Sequence, residues 1–160
     1  MPESFYQPDN FRPQNSIGYL IRRIHKLGLS RVEADFADLE ITFTQWAVLA
    51  LLHSGIADTC GGLARNLGHN SGAMTRVLDQ LEERALLRRA QDPEDRRVTK
   101  LRVTDEGRAM IAALGPRVMG IWNEYLEGFD RQEVLVLIDL LTRLLGRLEH
   151  LEGNCGGQRP

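Results

Sequence analysis

Between Asn70 and Thr104 the chain places small hydroxyl side chains and arginines at spacings suited to gripping a polyanion. Ser71, Gly72, Thr75, Arg76 and Asp79 share one side of a helical projection, while Met74, Val77, Leu78 and Leu81 recur at three- and four-residue intervals on the other. Short residues at the tip of such a helix allow close approach within a major groove, and Arg76 can hold guanine edges or phosphates. Beyond the helix, Thr99, Leu101 and Val103 alternate with Val98, Lys100 and Arg102, the period of a strand with one buried face. Leu86 and Leu87 lead into a matching run at Arg88 and Arg89, and Asp92-Pro93-Glu94-Asp95 between them is strong turn chemistry. The hairpin tip therefore presents Asp95, Arg96 and Arg97. An extended guanidinium there fits the narrow, electronegative minor groove, with Asp95 able to orient it through a bidentate pair. Arg88, Arg89, Lys100 and Arg102 fit DNA contact and the solvated face of a plain ribbon equally well.

These residues need a frame. Thr59 can cap a short helix that Gly68 closes, and with Ser71–Leu81 it makes a helix-turn-helix. Upstream, Ile17, Leu20, Ile21, Ile24 and Leu27 open a helical stripe prolonged by Val32, Phe36 and Leu39 and interrupted at Gly28. Thr44 can cap a second helix running through Trp46, Val48, Leu49, Leu51 and Leu52 to Gly55. Downstream, Thr104 caps a fifth helix that Gly115-Pro116 should bend or interrupt. Asp130 and Glu133 resemble a capping box for a last helix. Its Val134, Leu135, Leu137, Ile138, Leu140, Leu141, Leu144, Leu145, Leu148 and Leu151 cover far more than one narrow stripe, and so much apolar surface calls for a second subunit.

The run DPEDRRVTKLRVTDEG closely resembles the wing of the MarR family of bacterial transcription regulators, a DxxDRR turn followed by LxxTxxG. The resemblance extends over roughly residues 16–151. It implies a mainly α fold with a small two- or three-stranded β wing, a winged helix-turn-helix with long N- and C-terminal dimerisation helices. It also implies an obligate homodimer on a near-palindromic operator, usually a repressor released by a small ligand. By position, Arg97 resembles the arginine that enters the minor groove and Asp95 its orienting partner. On this frame residues 1–15 are a flexible arm and 152–160 a flexible tail. Residues 16–151 form one domain, in which 59–104 are the DNA-binding lobe and 16–40 and 105–151 the dimerisation helices.

With 160 residues and no glycine- or serine-rich linker, a single domain is the default. The formal net charge of −2 masks a local asymmetry: Arg84–Arg102 carries seven basic residues against three acidic, a net of +4. The local field governs association with DNA, and an otherwise acidic chain discourages loose binding through other faces. No apolar run approaches the roughly 20 residues that span a bilayer, and the first residues lack a basic start followed by a hydrophobic core, so a cytoplasmic protein without membrane contact is expected. Two cysteines, Cys60 and Cys155, are too few for a disulfide framework.

No GxSxG, P-loop, GxGxxG or Cys/His pair at plausible spacing is present, which argues against an enzyme. His25, His53, His69 and His150 form no pair at helical spacing, and neither metal nor cofactor is expected. Cys60 stands where a helix dipole can lower a thiol's pKa, but the resemblance places reactive cysteines on the first helix, where this chain has none. For an effector, Trp46 and Trp122 offer aromatic walls and Arg22, Arg23 and His25 a cationic anchor, suited to a small aromatic carboxylate or phenol. Each fits a core or solvated role as well. The expected function is thus a homodimeric, ligand-released repressor binding double-stranded DNA. The alternatives are a winged-helix protein-interaction module and a ligand sensor without specific DNA binding.

Overall fold

The computed structural model describes residues 4–92, 95 and 98–155. Its elements run α1 (Ile17–Asp35), α2 (Phe43–His53), α3 (Cys60–Leu67), α4 (Ser71–Glu83), β1 (Leu87–Gln91), β2 (Thr99–Val103), α5 (Asp105–Tyr125) and α6 (Arg131–Cys155). The mainly α architecture with a small wing is as expected. The chain divides into two compact units, residues 1–121 and 122–160.

In the first unit, the Ser16 hydroxyl caps α1 by accepting from the Tyr19 N–H. Just before it, the Tyr6 hydroxyl donates to the Asn15 carbonyl and accepts from the Ile17 N–H, both at 2.9 Å. The helix does not break at Gly28, which lies buried within it. The second helix begins at Thr42 and not Thr44. Thr42 Oγ1 accepts from Gln45 N at 3.2 Å while Gln45 Oε1 accepts from Thr42 N at 3.0 Å, a reciprocal box. Thr44 has Ala47 three residues on, which cannot reciprocate. Thr59 caps α3, and Gly68 closes it at φ +66°.

The core of this unit gathers Val32, Phe36, Val48, Leu49, Leu63, Met74, Leu78, Leu81, Leu87 and Leu101. The wing is a two-stranded antiparallel ribbon with Leu87 opposite Val103, Arg88 opposite Arg102 and Arg89 opposite Leu101. In place of a third strand, one bond from Leu101 N to the Asp58 carbonyl, 2.8 Å, ties the free edge of β2 to the segment before α3. At the start of α5 the Thr104 hydroxyl accepts from Gly107 N at 3.1 Å and donates to the Ala85 carbonyl at 2.7 Å, locking this helix to the end of α4. α5 continues through Pro116 without interruption.

In the second unit Trp122 and Tyr125 meet edge to face at 5.9 Å. Asp130 and Glu133 form the expected capping box of α6, each side chain accepting from the other's N–H at 2.8 Å. Leu135, Leu137, Ile138, Leu141, Leu145 and Leu148 are exposed along α6.

Candidate nucleic-acid interface

The helix pair α3–α4 and the β1–β2 wing form one block. Asn70 caps α4, its Oδ1 accepting from Ala73 N at 2.8 Å, and Met74, Leu78 and Leu81 sink into the core. That burial fixes the rotation of the helix and leaves Ser71, Gly72, Thr75 and Arg76 exposed together, as their spacing predicts. The Thr75 hydroxyl donates to the Ser71 carbonyl at 2.9 Å, and Cys60 Sγ lies 3.7 Å away from it. Cys60 is half-buried.

Two polar links that sequence reasoning missed pin α4 to its neighbours. Gln45, 7% exposed, donates from Nε2 to Gln80 Oε1 at 2.9 Å, connecting the cap of α2 to the recognition helix. On the wing, the Arg89 guanidinium reaches Asp79 Oδ1 at 2.7 Å and Glu82 Oε2 at 2.5 Å. These partners lie 35, 10 and 7 residues apart in the chain. The acids at Asp79 and Glu82, one turn apart on α4, were the only available hint of an arginine to come.

Arg88 and Arg102 stand opposite each other across the ribbon with both side chains exposed. Like charges so paired oppose folding, and an anion bound between them relieves the repulsion. Lys100 is differently placed. Its Nζ lies 2.5 Å from Asp58 Oδ2 and 3.8 Å from Asp92 Oδ2. The hydrogen bond from Lys100 holds the Asp58 carboxyl below its ordinary value, and the same bond lifts the ammonium above its own. Asp95 is exposed, and its carbonyl accepts from Val98 N at 2.9 Å. Arg96 and Arg97, the expected tip arginines, lie outside the described residues.

The effector candidates fall in separate places. Arg22 and Arg23 line a shallow cavity of about 370 Å³ along α1 with Tyr19 and Lys26, and Arg23 donates to the Tyr19 hydroxyl at 3.2 Å. His25 is exposed and not part of that lining. Trp46 stacks on Phe43 at 5.8 Å and meets the edge of Phe36 at 6.2 Å. Its indole N–H is buried without a hydrogen-bond partner among the described residues. Beside this cluster, Glu33, Phe36, Thr42 and Phe43 border a cavity of about 280 Å³. Trp122 belongs to the second unit and is 41% exposed. Among the described residues no cluster of His, Cys, Asp and Glu could hold a metal, and no helix is long and apolar enough to cross a membrane.

A short-faced helix following a capped partner helix, and followed at once by an arginine-bearing two-stranded wing, defines a winged helix-turn-helix protein. Residues 41–99 match the MarR family. Over 112 residues the chain is 30% identical to the uncharacterised HTH-type transcriptional regulator YdgJ of Bacillus subtilis, spanning 70% of this chain and 68% of that one. The chain belongs to the MarR family of transcription regulators, a family of DNA-binding proteins and not of enzymes. The fold superposes on the transcriptional regulator BldR of Sulfolobus solfataricus with a TM-score of 0.75 at 22% identity, covering 89% of this chain and 99% of that one. It also superposes on CouR of Rhodococcus jostii RHA1 bound to p-coumaroyl-CoA, with a TM-score of 0.70 at 27% identity over 83% and 94% of the two chains.

Proposed function

We propose that the protein is a homodimeric repressor that binds a pseudo-palindromic operator and is released by a small aromatic or phenolic ligand. The observation that carries this reading is the exposed quartet Ser71, Gly72, Thr75 and Arg76 on a helix whose opposite face is buried, next to the exposed, cross-strand Arg88–Arg102 pair of the wing. In a dimer the two α4 helices enter successive major grooves about 34 Å apart. Arg88, Lys100, Asp95, Arg96 and Arg97 then follow the backbone and the flanking minor grooves, with Arg97 inserted and Asp95 orienting it.

Within the first unit the expected ligand residues are Arg22, Arg23, His25 and Trp46. Trp46 supplies a buried N–H awaiting an acceptor, which a phenol or carboxylate oxygen provides. The cations on α1 suit an anionic group, and CouR, a relative of this chain, binds an aromatic acyl thioester of coenzyme A. An effector acts only through its unequal affinity for the DNA-competent and incompetent arrangements of the dimer.

Fluorescence anisotropy on the intergenic duplex beside the gene, against scrambled DNA and across a salt series, tests the reading. Specific binding that weakens with salt and drops by about 1–3 kcal/mol in Arg97→Ala supports it. Equal, weak binding to both duplexes would favour a protein-interaction module. Ligand quenching of tryptophan fluorescence without DNA affinity would favour a sensor.

A further inference from the structure

Arg89 faces away from Arg88 and Arg102, opposite Leu101 in the ribbon register. Three of its donors converge on α4. One arm of the guanidinium meets Asp79 at 2.7 Å, the other meets Glu82 at 2.5 Å, and its backbone N–H donates to the second Glu82 oxygen at 3.1 Å. Asp79 lies three residues beyond Arg76 and four beyond Thr75, on the side of α4 that carries the reading residues. A carboxylate at that place stands against the phosphates of any duplex lying on the helix. Neutralisation by Arg89 removes that repulsion.

We infer that Arg89 serves operator binding indirectly, by masking Asp79 and Glu82 from the DNA backbone. Arg88 and Arg102 are then the strand arginines that meet phosphate, and Arg89 is not. The inference rests on the operator-binding reading above.

The test compares the full-length protein, Arg89→Ala, the triple variant Arg89→Ala/Asp79→Asn/Glu82→Gln, and the double variant Asp79→Asn/Glu82→Gln, all on the labelled intergenic duplex from about 50 to 200 mM salt. Masking predicts that Arg89→Ala binds about tenfold more weakly and that the triple variant recovers to within about twofold of the unaltered protein, with the same salt dependence. A purely structural loss is not repaired by neutralising the acids. A direct phosphate contact by Arg89 gives a triple variant as weak as the single, with the salt slope reduced by about one, and overturns the inference. Should Arg89→Ala fail to fold by circular dichroism, the double variant decides. There the unmasked arginine strengthens binding and steepens the slope, and an unchanged slope places the cluster away from DNA and refutes the idea. Failure of the unaltered protein to bind any duplex refutes the operator reading itself.

Discussion

The glycine that ends the LxxTxxG run owes its identity to one close approach. A Cβ at Gly107 would overlap the Leu86 carbonyl oxygen and come within 2.7 Å of Val103 Cγ1. The first turn of α5 thus packs directly on the chain that links recognition helix to wing. Gly107→Ala should cost about 1–3 kcal/mol, since a backbone carbonyl cannot swing aside as a side-chain tip can. Thermal unfolding would register this as a fall of about 2–4 °C per kcal/mol, and an unchanged midpoint would contradict the contact. Charge at the wing base is set just as locally, by Lys100 bonding to Asp58. A carboxyl held low stabilises the fold above its ordinary value of 3.8 and ceases to as the pH falls through its lowered value. An ammonium held high contributes below 10.5 and ceases to as the pH rises through its raised value. Between these limits Asp58→Asn should melt below the unaltered protein, most clearly at low salt. The gap should close as the pH is taken below 3.8.

Elements whose determinants lie close in sequence were the legible ones. Thr59, Gly68 and the Met74–Leu78–Leu81 stripe mark α3 and α4 from within, and alternation around Leu101 marks β2. Sequence misled at Gly28, which lies buried inside an unbroken α1, while Gly115-Pro116 does not interrupt α5. Thr44 misled because two threonines compete, and only Thr42 has a glutamine three residues on. The reading face of α4 was legible because burial of the opposite stripe dictates it. Its anchors were not, because Gln45 meets Gln80 only after the chain has folded back. Gln45 uses its amide twice, towards the Thr42 N–H and towards Gln80, and is buried while doing so. Gln45→Ala should therefore cost about 0.5–2 kcal/mol in urea unfolding, by removing both the reciprocal cap of α2 and the bond to Gln80, and Gln80→Ala less. The double variant should be more stable than the sum of the singles implies, by about 0.5–1.5 kcal/mol. Strict additivity would mean that the two helices are not coupled through this bond.

For the whole molecule, the decisive feature is apolar surface without cover. Ile17, Leu20, Ile21, Ile24 and Leu27 are exposed along α1, and along α6 nine large aliphatic side chains are between 43% and 56% exposed. Soluble monomers rarely leave contiguous apolar patches of that extent to water, and helices hydrophobic around much of their circumference are normally buried. A second copy of the chain is the occupant proposed, because a two-fold partner offers the same apolar helices in return and sets two α4 helices on one face of a duplex. Such an interface should exceed roughly 2,000 Å² and behave as obligate. Light scattering at micromolar concentration should give twice the mass of the 160-residue chain. Replacing Leu141 and Leu145 with Glu should drive the protein towards monomer, and with it cut operator affinity far more than half-site affinity, since each head alone binds with little avidity. A stable monomer from the unaltered chain would remove the dimer and the two-groove geometry together. Monomeric double variants that keep full operator affinity would leave the recognition helix intact but strip the dimer of its role in reading DNA.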